Sequence, residues 1–165
     1  MIVAARISDR TEKSQHVMKT TIWRFGKRLL LALAGFLLLI QFVPYGRVHS
    51  NPPTTMEPAW DSAETRALAE HACFDCHSNE TEWPMYARVA PVSWLVYYDV
   101  TKGRAELNFS EWHRPQKEAR EAPEELREGE MPPLPYRLLH GHARLTPSER
   151  ERLAEGLART LAARP

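Results

Sequence analysis

The residues with the clearest chemistry lie in the stretch 70–84, EHACFDCHSNETEWP. Cys73 and Cys76 are the only two cysteines of the chain, and His77 follows the second one directly. A Cys-x-x-Cys pair alone fits a disulfide, a redox pair or part of a zinc site. A disulfide would close a very short loop and stabilise little. A thioredoxin-type redox pair belongs to a β/α setting, which this sequence does not suggest.

A zinc site would need further ligands beyond the two cysteines. The sequence offers histidines for it at three positions, His113, His140 and His142.

The histidine at the fifth position favours another chemistry. Cys-x-x-Cys-His is the attachment signature of c-type haem, in which two thiols add to the vinyl groups and the histidine binds the iron. We therefore predict one covalent haem c, with thioether bonds from Cys73 and Cys76 and with His77 as the proximal iron ligand.

The second axial ligand is predicted to be Met131. It lies in the segment GEMPPLP, where two following prolines favour an extended loop able to cross the other face of the haem. His140 is the alternative, followed by His142 and His113. An open distal position would instead favour gas binding or peroxidase-like chemistry.

Many aromatic residues follow the cysteine motif in the sequence, and their side chains would form the walls of an apolar haem crevice. We predict haem contacts for Trp83 and Trp94 in particular. The remaining aromatic residues of this region are Tyr86, Tyr97, Tyr98, Phe109 and Trp112.

The elements that position these residues are predicted to be helices. One runs over 62–72, with Asp61 and Glu64 as a capping box, and a second runs over 91–103 and ends at Gly103. Helical pieces broken at Pro123 and ended by Gly129 should follow.

The C-terminal part begins with an extended loop, MPPLPYRLLHGH. A terminal helix then starts at the Thr146–Glu149 capping box and carries Leu153, Leu157 and Leu161 on one face. No segment has the pattern of a strand, so the fold class is all-α.

The N-terminal region contains an apolar run from Leu29 to Val43 that follows several cationic residues. It predicts a transmembrane anchor over 21–45, or alternatively a cleaved signal. Residues 1–20 would be a cytoplasmic tail, with Met18 as the better start, 46–59 a proline-rich linker and 60–165 the haem domain. The positive-inside rule then places this domain in the periplasm of a bacterial inner-membrane protein. With a cleaved signal, the protein would be soluble in the periplasm.

The charge distribution excludes one class of partner. Residues 1–45 hold seven Lys and Arg against two Asp and Glu, and the rest of the chain holds fifteen against nineteen. A mildly acidic domain without a basic patch is not expected to bind nucleic acid.

Several motifs together resemble one family. The order CFDCHSNETEWPMYARVAPVSW, FSEW, EGEMPP and LH…ARLTPSERERL is similar to the bacterial haem-binding domain family with a c-type motif, over about residues 60–163. The resemblance implies covalent haem at Cys73 and Cys76 with His77 as axial ligand, and it strengthens Met131. The arrangement also resembles, more loosely, class I cytochromes c, which implies a small cytochrome c-like helical domain.

The expected function is single-electron transfer in the periplasm, with other redox proteins as partners and the N-terminal helix in the membrane. Such a protein is a carrier rather than an enzyme. The alternative is a haem-based gas or redox sensor, or a weak peroxidase in which His113 or His140 serves as the distal base.

Overall fold

The computed structural model describes the backbone of residues 2–162 and the side chains of residues 18, 19 and 21–162. The chain divides into two units, Met1–Pro44 and Tyr45–Pro165. The predicted tail over 1–20 therefore falls largely on residues whose side chains lie outside the described part.

The first unit is a single helix, α1, over Ile2–Ile40. Its apolar side chains between Leu29 and Leu39 are mostly exposed. Among the described residues, no helix is both long enough and apolar enough to cross a membrane. The predicted anchor over 21–45 is thus unsupported, because the helix ends at Ile40 and Lys27 and Arg28 stand directly before the apolar run.

The second unit is built from helices, as predicted. No strand occurs within residues 2–162, where the only β-type pairing is an isolated bridge between Met56 and Glu111. Two 3₁₀ turns lie at Met85–Arg88 and Gly141–Ala143. The helices of this unit are α2 (Ala63–Ala72), α3 (Phe74–His77), α4 (Val92–Glu106), α5 (Ala122–Glu128), α6 (Leu134–Leu139) and α7 (Pro147–Ala162).

Helix starts follow the local capping chemistry, with one correction. At α7, Thr146 Oγ1 accepts from the Glu149 amide at 3.2 Å and Glu149 Oε2 accepts from the Thr146 amide at 2.8 Å, which is the predicted capping box. At α2, Ser62 is the cap and accepts from the Thr65 amide at 3.1 Å. Asp61, the predicted cap, instead pairs with an arginine of α7.

Three helix boundaries differ from the prediction. Helix α4 continues to Glu106, so Gly103 lies inside it rather than after its end. Pro123 lies in the first turn of α5, directly after its first residue Ala122, instead of breaking a helix. Residues Leu134–Leu139, predicted as an extended loop, form α6, with Pro135 in its first turn. Proline is compatible with a first turn because the amide it lacks has no partner there.

The core joins helices α2, α3, α5 and α7. Trp60 and Phe109 pack at a centroid distance of 5.1 Å, and Phe74 lies 5.7 Å from Phe109. Leu153 and Leu157 of α7 are buried here, as their spacing predicted. The other buried members are Ala69, Ala72, Leu107, Trp112, Ala119, Leu126 and Ala154.

The proline-rich segment 46–59, predicted as a linker, is held against the rest of its unit. The Thr55 and Met56 amides both donate to the Ser110 carbonyl, and the Trp112 amide donates to the Met56 carbonyl at 2.9 Å. Arg104 of α4 donates to the Ser50 carbonyl at 2.9 Å. These bonds make the segment part of the compact domain.

Helices α2 and α7 approach closely at Gly156. A Cβ atom at this position would lie 2.1 Å from Thr65 Oγ1 and 2.7 Å from its Cγ2. Thr65 and Gly156 are both buried. The missing side chain is therefore what lets the two helices pack.

We expect Gly156→Ala to lower the free energy of unfolding by about 1–3 kcal/mol, because overpacking outweighs the higher helix propensity of alanine. Urea unfolding followed by circular dichroism measures the change. The double variant with Thr65→Ala should lose less than the sum of the two single losses. A more stable Gly156→Ala protein would contradict the close packing.

Candidate functional site

A large cavity in the second unit has a volume of about 540 Å³. This is within the usual range of about 300–1,000 Å³ for sites that hold a small molecule or cofactor. Cys73, Cys76 and His77 line it together with Met131, so the structure brings the predicted attachment residues and the predicted distal ligand to one space. Further lining comes from Leu107, Phe109, Leu126, Leu157, Tyr98, Tyr136, Pro132 and Pro133.

His77 is held in an orientation suited to metal ligation. Its Nδ1 lies 3.1 Å from the Gly103 carbonyl oxygen and 3.1 Å from that of Leu107. Because carbonyls only accept, Nδ1 carries the proton and Nε2 keeps a free lone pair. Burial also lowers the pKa of His77, so the neutral imidazole is favoured at pH 7.

The contact between α3 and α4 depends on Gly103. A Cβ atom there would lie 2.5 Å from the Cys76 carbonyl oxygen and 3.2 Å from the Cys76 Cβ. These are mostly backbone atoms, which cannot rotate aside. The absent side chain therefore lets α4 lie directly against the cysteine motif, close enough for its carbonyls to reach His77.

The two thiols are free and partly exposed. Burial raises the pKa of Cys73 to about 12, with a contribution from the neighbouring Cys76. Burial likewise raises the pKa of Cys76 to about 12, and Asp99 and Asp75 add to the effect. Redox-active Cys-x-x-Cys pairs instead have lowered thiol pKa values. The raised pKa values of both thiols thus differ from those of such redox pairs.

Met131 reaches the cavity because α5 ends in a Schellman motif. Gly129 has φ 80°, and its amide donates to the Leu126 carbonyl at 3.2 Å. The Glu130 amide donates to the Glu125 carbonyl at 3.0 Å, which completes the motif. The reversal of the chain at Gly129 directs the next residues back towards the cavity, where Met131 packs against the core.

The cavity wall combines an apolar interior with charged residues. Leu107, Phe109, Leu126 and Leu157 are buried and suit a flat apolar ligand. One lysine, Lys102, and several carboxylates also line the cavity. The acidic residues are Asp75, Asp99, Glu106, Glu118, Glu121 and Glu125.

The other predicted ligands lie elsewhere. His113 is exposed, and its Nδ1 lies 3.3 Å from Thr55 Oγ1. His140 and His142 are not among the residues that line the large cavity. His140 lines a separate space of about 50 Å³.

The two predicted aromatic contacts are also placed outside the cavity lining. Trp83 stacks on His49 at a centroid distance of 4.4 Å, and its Nε1 donates to Asn51 at 3.1 Å. Trp94 lies partly buried on α4, next to Gly46. Tyr98 and Phe109 are the aromatic side chains of that region that line the large cavity.

The sequence analysis missed Tyr136, which lines both cavities. Its hydroxyl donates to Asp75 Oδ2 at 2.5 Å, so it joins α6 to the cysteine motif. Burial raises the pKa of Tyr136 strongly, with the Asp75 hydrogen bond adding to it, so the phenol stays protonated. Tyr136 is the single aromatic residue of a proline-rich segment, and this was the only sequence feature that could have indicated its place in the cavity wall.

We expect Gly103→Ala to push α3 away from α4 and to reduce the haem content of the purified protein, because the alanine Cβ would meet the Cys76 backbone. Haem content is measured by pyridine haemochrome absorption per protein. Thr101→Ala is the matched control, since Thr101 is exposed and its hydroxyl bonds only to its own helix. Equal haem content in both variants would contradict this role of Gly103.

Comparison with known proteins identifies a family for this chain. The sequence profile of the haem-binding domain family matches residues 35–159. No curated protein and no solved structure matches the chain. The profile covers most of the chain, including the cavity residues from Cys73 to Leu157. The protein therefore belongs to the haem-binding domain family.

Proposed function

We propose that this haem-binding protein carries one covalent c-type haem in the large cavity and transfers single electrons in the periplasm. The observation that carries the proposal is the convergence of Cys73, Cys76, His77 and Met131 on one cavity of about 540 Å³. The motif and Met131 are far apart in sequence, and the fold alone brings them together.

The residues fit the group in chemical type. The thiols of Cys73 and Cys76 would each add across a vinyl double bond, forming a carbon–sulfur bond while the thiol hydrogen passes to the vinyl group. His77 would bind iron through Nε2, since Nδ1 donates to backbone carbonyls. Met131 would supply a thioether sulfur from the loop after α5.

The bound haem would supply an iron that gains and loses one electron. The chain's part is to keep the coordination constant during this exchange, so that no ligand needs to enter or leave. His77 is fixed by two hydrogen bonds, and Met131 by its packing against the core. Methionine also raises the reduction potential.

The peroxidase alternative lacks a distal base at this cavity. Its candidates were His113 and His140, and neither is among the lining residues. The sensor alternative requires an open or displaceable distal position, whereas a thioether sulfur is available at Met131. Electron transfer is therefore the better-supported function.

The charges at the cavity suggest the kind of redox partner. Six carboxylate residues line it against one lysine. Glu121 raises the pKa of Glu118, as expected where carboxylates crowd together. We infer a partner with a basic surface near its own redox centre, because complementary charge steers brief encounters.

The location follows from the attachment chemistry. In bacteria c-type haem is attached outside the cytoplasm, and a covalent haem at Cys73 and Cys76 would therefore place this domain in the periplasm.

We expect covalent haem in the protein co-expressed with haem-attachment machinery and none in the double variant Cys73→Ala/Cys76→Ala. Haem staining after a denaturing gel measures it. The chain has no other cysteine, so no other thioether can produce the stain. His71→Ala is the control, since this exposed residue lies just before the motif. An unstained wild-type band would contradict covalent attachment.

We expect Met131→Ala to convert a low-spin ferric haem to a high-spin one and to lower its reduction potential, because the distal sulfur is lost. Absorption spectra would lose the red charge-transfer band that is typical of methionine ligation. His140→Ala should keep both the band and the potential. A wild-type protein that is high-spin and binds CO would contradict this ligation and favour the sensor alternative.

A further inference from the structure

We propose that Asp75, His140 and His142 form a binding site for a divalent metal ion of the zinc type, separate from the proposed iron ligands His77 and Met131. One ligand atom from each of the three side chains lies within 4.8 Å of the other two. Two imidazoles and one carboxylate form a donor set that suits zinc and related divalent transition metals.

The fold brings the three residues together from distant parts of the chain. Asp75 lies in α3, between the two cysteines. His140 directly follows α6, and His142 lies in the 3₁₀ turn after it. The two imidazole rings are nearly perpendicular, with centroids 5.4 Å apart. Their spacing of two residues therefore presents both rings to the same carboxylate.

The carboxylate of Asp75 is oriented by other groups. Oδ1 accepts from the Glu82 amide at 2.7 Å, and Oδ2 accepts from the Tyr136 hydroxyl at 2.5 Å. The Asp75 side chain is 17% exposed. Hydrogen bonds of this kind to a ligating carboxylate are typical of metal sites, where they hold the ligand in place before the metal enters.

His140 is oriented in the same manner. Its Nε2 is hydrogen-bonded to the Tyr86 hydroxyl, and its ring stacks on Tyr136 at a centroid distance of 4.2 Å. This arrangement leaves Nδ1 as the ligand atom, and Nδ1 lies 4.0 Å from Asp75 Oδ2. The His140 side chain is only 12% exposed, so few other orientations are open to it.

The distances are compatible with one shared ion. In a tetrahedral zinc site, bonds of about 2.0–2.2 Å place two ligand atoms roughly 3.3–3.6 Å apart. The 4.0 Å between His140 Nδ1 and Asp75 Oδ2 exceeds this spacing by only about half an ångström, which a small side-chain movement can close. His142 is exposed, and the hydrogen bond between its Nε2 and the Tyr136 hydroxyl is a long one of 3.4 Å, so the ring can turn inward towards the ion. Three protein ligands leave a fourth position for water.

The proposed site differs from the zinc site considered for the cysteine motif. That site would use Cys73 and Cys76, whereas here the ligands are nitrogen and oxygen only. His113, the third histidine considered, is bonded to Thr55 and is not part of the group.

The test uses the untagged, full-length protein with haem attached, which keeps the cysteines from binding zinc as thiolates. Equilibrium dialysis against micromolar Zn²⁺ is followed by elemental analysis of zinc and iron in the same sample. We expect one zinc per protein. His142→Ala and Asp75→Asn should each weaken binding at least about tenfold. His71→Ala and His113→Ala are matched controls and should bind zinc as the wild type does.

The ligands are identified by X-ray absorption at the zinc edge. We expect nitrogen and oxygen neighbours at about 2.0 Å with scattering from two imidazoles. The proposal is overturned by a wild type that holds no zinc, by a His142→Ala variant that binds as tightly as the wild type, or by sulfur neighbours at about 2.3 Å. The iron content reports haem binding separately from zinc binding. A failure of haem binding can therefore be distinguished from a failure of zinc binding. Circular dichroism checks that each variant is folded.

Discussion

The hydrogen bonds from His77 Nδ1 to the carbonyls of Gly103 and Leu107 are the constraint on which the proposed haem site depends. They fix the tautomer and the ring orientation, and they need α4 to lie directly against α3. That approach is possible only because Gly103 has no side chain where the Cys76 backbone passes. One glycine in α4 therefore determines whether the histidine of the motif can present Nε2 to an iron.

The opposite wall of the cavity depends on a second backbone feature. Gly129 takes a positive φ, ends α5 and returns the chain towards the cavity at Met131. Both walls are built on the same core, since Phe74 follows Cys73 and packs on Phe109, whose amide donates to the His77 carbonyl at 2.8 Å. The cavity and the hydrophobic core are thus continuous, and a flat apolar cofactor would complete that core.

Asp75 connects the haem motif to a second polar centre. The residues between the two cysteines are often treated as spacers, yet here the carboxylate binds Tyr136 and faces His140. Tyr136 lines both cavities, so the two sites share one wall. Any ion held by Asp75 would lie beside Cys73 and Cys76, the proposed attachment residues, and the segment after α6 would be fixed to α3.

The sequence by itself determined the features that depend on local chemistry. The spacing of Cys73, Cys76 and His77 indicated haem, the Thr146–Glu149 box located α7, and the absence of strand patterns gave the all-α class. Met131, which lines the cavity, was predicted as the distal ligand from its prolines and from the family resemblance, and that role stays a prediction. These features depend on neighbours in the chain, and a sequence presents such neighbours directly.

Only the tertiary structure decided what depends on distant contacts. It placed Gly103 inside α4 and left Trp83 and Trp94 outside the cavity lining. It also brought Tyr136 and His140 next to Asp75. An aromatic residue near a motif in sequence can face either side of its helix. A glycine can end a helix, or it can lie inside one and allow a neighbouring segment to approach closely. The packing partner decides between these outcomes, and the neighbouring residues in the sequence do not reveal that partner.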